Sequence, residues 1–187
     1  MKCKFEHEFG SVTLAFSEME AEIRILLSGL AFSGDSIRAA AFLDSSQLVQ
    51  SLRTIRKLAR NLVGYEQDLI DVIRIPESLR EKRNLFIHGI WNVASFEESD
   101  GFAIVRDLNT KFEKLDDTKR RWTRGDPACY KYEDFEEIRS QIGEFLQSSR
   151  ALRKRMESED QELEFPDSLW SCTSVGGAIT HNGNTHS

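Results

Sequence analysis

Cysteine, proline and long apolar runs are all scarce in this chain of 187 residues. Its three cysteines, Cys3, Cys129 and Cys172, are odd in number and widely spaced, with no CxxC pair and no adjacent histidine. That spacing indicates neither a disulfide framework nor a zinc set, and leaves ordinary reduced thiols with no metal or cofactor implied. Three prolines, with 40% hydrophobic and 30% charged residues, describe a helix-friendly globular chain and not a disordered one. No apolar stretch approaches the ~20 residues that span a bilayer. The N-terminus, Met1-Lys2-Cys3-Lys4-Phe5-Glu6-His7-Glu8, carries charges where a secretory signal needs an apolar segment. The expectation is a cytoplasmic protein without a membrane partner. A net charge of −6 argues against coating nucleic acid through a general basic field. The acidic excess is uneven, because Glu157, Glu159, Asp160, Glu162 and Glu164 crowd one short segment.

What is abundant is helical periodicity. From Val12 to Phe32, Leu14, Met19, Ile23, Leu26, Leu27 and Leu30 recur with Glu18, Glu20, Glu22 and Arg24 between them, which predicts an amphipathic helix. Ser33-Gly34-Asp35-Ser36 supplies turn residues, and Ile37 to Leu43 reads equally as a short helix or an irregular connector. Asp44 or Ser45 can cap a second helix that buries Leu48, Leu52, Ile55, Ala59 and Leu62 and closes at Gly64. Leu69, Val72 and Ile73 start a third pattern, and Pro76 predicts a kink or break, since proline disfavours helical geometry in the residue before it. Glu77 to His88 is then a fourth helical segment, with Leu79, Leu85 and Phe86 available for the core and Gly89 placed as its end.

After Gly89 the period changes. Ile90 to Phe96 and Phe102 to Arg106 are β-prone runs around a Glu-Glu-Ser-Asp-Gly turn, a hairpin over 90–107. The segment 111–130 is a polar excursion broken by Gly125-Asp126-Pro127. Helical spacing resumes over Glu133 to Met156 at Phe135, Ile138, Ile142, Phe145, Leu146 and Leu152. The fold class expected is therefore mainly α, one domain over 1–156 with a small β-hairpin before the last core helix. An acidic and then Gly-, Ser- and Asn-containing tail over 157–187 is expected to be loosely attached.

The candidate chemistry lies in Arg83-Asn84-Leu85-Phe86-Ile87-His88, an R-N-x-x-x-H arrangement. Residues four apart share a helix face, so Asn84 and His88 can present their polar groups together, while Arg83 reaches round with a long side chain. An arginine fork suits a phosphate, an asparagine amide can orient that phosphate or the imidazole, and imidazole exchanges protons near neutral pH. Such a set fits phosphodiester cleavage by a ribose 2′-hydroxyl, with Arg83 on the phosphate oxygens and His88 transferring protons. A structural reading fits the same residues: an ion pair for Arg83, a local bond for Asn84, and a helix end for His88 beside Gly89 and Trp91.

Two basic clusters add candidates for binding RNA. Arg53, Arg56, Lys57 and Arg60 line one face of the second helix and can track a phosphate backbone, or form a solvated face balanced by Glu18, Glu20 and Glu22. Arg120, Arg121 and Trp122 combine cations with a ring that suits stacking on an unpaired base, or a buried or interface tryptophan. Arg150, Arg153, Lys154 and Arg155 are read as complements to the dipole of the last helix.

The block Glu81-Lys82-Arg83-Asn84-Leu85-Phe86-Ile87-His88-Gly89-Ile90-Trp91 resembles the R-N-x-x-x-H-G-x-W signature of HEPN-like proteins, an all-helical superfamily named for higher eukaryotes and prokaryotes nucleotide-binding. The resemblance implies a bundle of four to five helices, usually a homodimer, whose arginine and histidine face the partner across an RNA-cleaving groove. Many members are toxins or defence ribonucleases, which implies RNA as substrate and a cognate antitoxin or regulator as partner; others are non-catalytic binding or assembly proteins. By position, Arg83, Asn84 and His88 match the family's catalytic arginine, polar residue and histidine. The hairpin and the polar excursion are additions to the minimal bundle.

Overall fold

Phe5, Val12, Phe16, Met19, Ile23 and Leu26 follow one another at steps of three, four or seven, and burying that stripe winds Lys2–Phe32 into one helix, α1. The helix therefore starts well before Val12, because Phe5 and Phe9 extend its apolar face into a segment whose composition is otherwise polar. Leu14 is corrected from core to surface: at two residues from both Val12 and Phe16 it lies about 200° round the helix from each, and it is 63% exposed. The computed structural model describes residues 2–32, 38, 47–62, 64–95, 102–106, 110–114, 120–124, 127–159 and 165. Apart from Arg38, the connector Ile37 to Leu43 lies outside the described residues, as do the suggested caps Asp44 and Ser45.

The second helix, α2, spans Leu48–Ala59 and buries Leu52, Ile55 and Ala59 as its spacing predicts. Gly64 follows at a φ of 92°, a left-handed conformation that favours glycine. The third, α3, runs unbroken over Glu66–His88 with Pro76 inside it, which corrects the expected division into two segments. Proline in a helix interior costs about 3 kcal/mol through the lost N–H and the ring clash. Here it is offset by burial on both sides, of Leu69 and Ile73 before it and of Leu79 and Phe86 after it, each side chain contributing roughly 1.5–3 kcal/mol.

Beyond α3, the strands β1 (Ile90–Ser95), β2 (Phe102–Arg106) and β5 (Ala128–Lys131) form an antiparallel sheet in the order β1-β2-β5, with Trp91 opposite Val105 and Ala103 opposite Tyr130. The hairpin is thus present and gains a third strand. Within the polar excursion, β3 (Thr110–Lys114) and β4 (Arg120–Arg124) make a separate two-stranded ladder. Their Thr, Phe and Trp residues favour strands, a propensity that the surrounding charges mask in the sequence.

The last helix, α4, covers Tyr132–Glu159 and buries Phe135, Ile138, Ile142, Phe145, Leu152 and Met156. It runs parallel to α1, since Glu8 pairs with Arg139 and Glu22 with Arg153, the pairs standing 14 residues apart on both helices. Helix α3 runs antiparallel to both: Phe86 meets Phe16 and Phe135, while Arg155 near the far end of α4 bonds Asp68 near the start of α3. Within the expected loose tail, Phe165 is buried, its ring against Gly29 of α1 and its N–H donated to Glu157. The remainder of the tail beyond Glu159 lies outside the described residues.

Phe86 sits where α1, α3, α4 and the sheet meet, packed on the rings of Phe9, Phe16, Trp91, Tyr130 and Phe135. Phe86→Ala is expected to destabilise the fold by about 3–5 kcal/mol, whereas Leu14→Ala stays within about 0.5 kcal/mol. Urea unfolding followed by circular dichroism checks both values.

Candidate functional site

The rotation of the last two turns of α3 is set from inside the core. Phe86 is buried among aromatic rings, so Asn84 and His88, each two residues away and about 200° round the helix, face outward. Both are exposed. Among the described residues no hydrogen bond or ion pair engages the His88 imidazole.

Arg83 takes the intermediate direction, toward α1. Its side chain is 22% exposed, and Nε donates to Glu20 Oε1 at 2.5 Å while Nη1 donates to Asn84 Oδ1 at 3.2 Å. The structure therefore brings Arg83 and Asn84 into direct contact and puts His88 on the face that Asn84 occupies. Glu20 offsets part of the arginine's charge and fixes its stem; Nη2 takes no part in these bonds and remains to meet a phosphate oxygen.

The helix ends just past His88 for a steric reason. Gly89 has a φ of −78°, so it is not the left-handed cap that a glycine at a helix end suggests. A Cβ at this position would lie 2.3 Å from Val105 Cγ2 and 2.4 Å from the Leu85 carbonyl oxygen. Only glycine lets β2 approach this closely, with its own N–H donated to Leu85 at 2.8 Å. Trp91 packs against Phe5, Phe9 and Phe86, and its Nε1 is buried without an acceptor among the described residues. Burial, and after it the Asp134 carboxylate, pushes the Tyr130 hydroxyl above its ordinary range, so it stays neutral beside these rings. Two exposed isoleucines, Ile87 and Ile90, flank His88.

The basic stripe of α2 divides. Arg53, Lys57 and Arg60 are exposed, but Arg56 is half-buried and donates to Glu77 of α3 at 2.5 Å. The expected balance is corrected for Glu20 and Glu22, since Glu20 holds Arg83 and buried Glu22 accepts from Ser149 at 2.8 Å and Arg153 at 2.9 Å. Arg153 and Arg155 are accordingly ion-pair partners of α1 and α3, beyond any role at the helix dipole. Arg120, Arg121 and Trp122 fall on β4, where Trp122 is the backbone partner of Phe112; their side chains lie outside the described residues. One residue that motif reading passes over is Arg80, although its signal is in the sequence: Arg80, Asn84 and His88 succeed each other at four-residue steps. Among the described residues no cluster of His, Cys, Asp and Glu is able to hold a metal ion, and no helix is long and apolar enough to cross a membrane.

Because His88 is exposed and has no side-chain bond among the described residues, His88→Ala is expected to change unfolding free energy by less than about 0.5 kcal/mol. A Glu20→Gln and Arg83→Gln double-mutant cycle is expected to give a coupling of about 0.5–1 kcal/mol for this half-buried pair. Compared with protein-family models, curated proteins and solved structures, the chain matches none.

Proposed function

We propose that this chain is a metal-independent endoribonuclease, a toxin or defence effector of HEPN type, with Arg83, Asn84 and His88 as its site. The observation that carries the reading is the placement on one helix face of Asn84 and an exposed His88 that has no side-chain bond among the described residues, with Asn84 bonded to the Arg83 guanidinium. The resemblance of residues 81–91 to the HEPN-like signature supports it.

In this reading the 2′-oxygen of the substrate ribose forms a bond to the adjacent phosphorus as the bond from phosphorus to the 5′-oxygen breaks. The 2′-hydroxyl proton passes to a neutral imidazole, and the departing 5′-oxygen takes a proton from an imidazolium. His88 serves these transfers, with the His88 of a second copy available in a homodimer. Arg83 Nη2 binds the phosphate oxygens on which charge develops, and Asn84 holds the guanidinium in place. Ile87 and Ile90 offer exposed apolar surface at which the second copy can close over the groove. A cognate antitoxin or regulator would act by covering the same surface.

A second reading has its own observation. The Glu20–Arg83 bond ties α3 to α1, which is what a non-catalytic helical binding or assembly protein would use the arginine for. The two readings separate on total cellular RNA incubated in EDTA. The ribonuclease reading expects wild-type protein to cut it and His88→Ala to lose at least about a hundredfold in rate, the scale of general acid–base catalysis. Inert wild-type protein, or equal cleavage by His88→Ala, contradicts it.

A further inference from the structure

The groove between α2 and α3 has a chemistry that the motif does not include. A cleft of about 280 Å³ is lined by Val49, Leu52 and Arg53 of α2 and by Glu77 and Arg80 of α3. The carboxylate of Glu77 is engaged by Arg56 at 2.5 Å, which neutralises the acidic group in the wall. Arg53 is exposed and has no carboxylate partner among the described residues. Arg80 approaches a carboxylate at 3.8 Å, that of the exposed Glu81, beyond hydrogen-bond distance. Two arginine forks with donors unused among the described residues thus stand at a cleft whose acidic neighbour is already paired.

Geometry connects this cleft to the end of α3. Arg80, Asn84 and His88 lie on one helix face, and eight residues from Arg80 to His88 rise about 12 Å. We infer that the Arg53–Arg80 cleft is a subsite for a backbone phosphate of a single-stranded RNA, one that holds the strand upstream or downstream of the bond at His88. Guanidinium forks bind phosphate oxygens through paired N–H donors, and the partly exposed Val49 offers apolar contact to the attached nucleoside. Arg53 and Arg80 are the residues assigned to this subsite, while Arg56 is a positioning residue that keeps Glu77 from repelling the phosphate. The assignment of RNA as ligand rests on the ribonuclease reading, but occupancy of the cleft is separable from cleavage.

The test uses a fluorescently labelled 2′-O-methyl RNA oligonucleotide, which lacks the attacking hydroxyl and reports binding alone. By anisotropy in EDTA, Arg53→Gln and Arg80→Gln are each expected to raise Kd about tenfold, the loss of a charge-assisted bond. Lys154→Gln, the same charge change on the exposed surface of α4 and outside the cleft lining, is expected to stay within about twofold. Arg53→Lys and Arg80→Lys retain charge without the fork and are expected to fall between wild type and the glutamine variants; they give the readout should a glutamine variant misfold. Unchanged affinity in the Arg53 and Arg80 variants, or an equal loss with Lys154→Gln, overturns the subsite. Adenosine monophosphate bound as tightly as the oligonucleotide overturns the strand in favour of a free nucleotide. Cleavage of unmodified RNA with no change in affinity in these variants removes the subsite and leaves the ribonuclease; weakened binding without cleavage by wild type removes the ribonuclease and leaves the subsite.

Discussion

The burial of the Phe86 ring is the constraint on which the rest of the molecule depends. It lies in the middle of the R-N-x-x-x-H block, and its neighbours come from α1, α4, β1 and β5. Once that ring is seated, the helical period leaves no freedom in where the polar residues go: Asn84 and His88 turn to solvent and Arg83 turns to α1. The aromatic packing that stabilises the fold therefore also orients the candidate site. Gly89 completes the arrangement by letting β2 close against the helix end, which fixes Trp91 beside Phe86.

Charge is distributed by the same logic. Helix α1 directs Glu8, Glu20 and Glu22 toward Arg139, Arg83 and Arg153, so three of its carboxylates act between helices and not as a general acidic surface. The buried pair at Glu22 is satisfied by both the Ser149 hydroxyl and the Arg153 guanidinium, as a charge removed from water requires. A net charge of −6 is consequently a poor guide to the α2–α3 face, where Arg53, Arg56 and Arg80 outnumber Glu77. Arg80 and His88 lie along α3, and Arg53 stands across the cleft on α2.

Much of the helical plan was legible because burial at a period of 3.6 leaves a record in the sequence. The apolar faces of α2 and α4 and the hairpin at Ile90 to Arg106 agree with their patterns. Elsewhere a local signal met a stronger tertiary one. Pro76 signals a kink or break, yet burial before and after it keeps α3 one continuous helix. Leu14 has the composition of a core residue but the wrong phase, whereas Phe5 and Phe9 have the right phase in a polar setting. The ladder of β3 and β4 is hidden under charge. At the site, the outward face of Asn84 and His88 follows from their spacing, but the partners of Arg83 and Arg56 come from positions 63 and 21 residues away and no local pattern announces them. Arg80 differs from them: its four-residue step to Asn84 and His88 is in the sequence, but the cleft it lines with Arg53 and Glu77 is formed only when α2 packs on α3.

The most direct test of the central claim is the identity of the RNA ends left by cleavage in EDTA. Attack by the neighbouring 2′-hydroxyl, with His88 moving protons, predicts 2′,3′-cyclic phosphate or 3′-phosphate ends paired with 5′-hydroxyl ends. Products bearing 5′-phosphate and 3′-hydroxyl groups would contradict the account, because they require water or another external nucleophile and a different role for Arg83, Asn84 and His88.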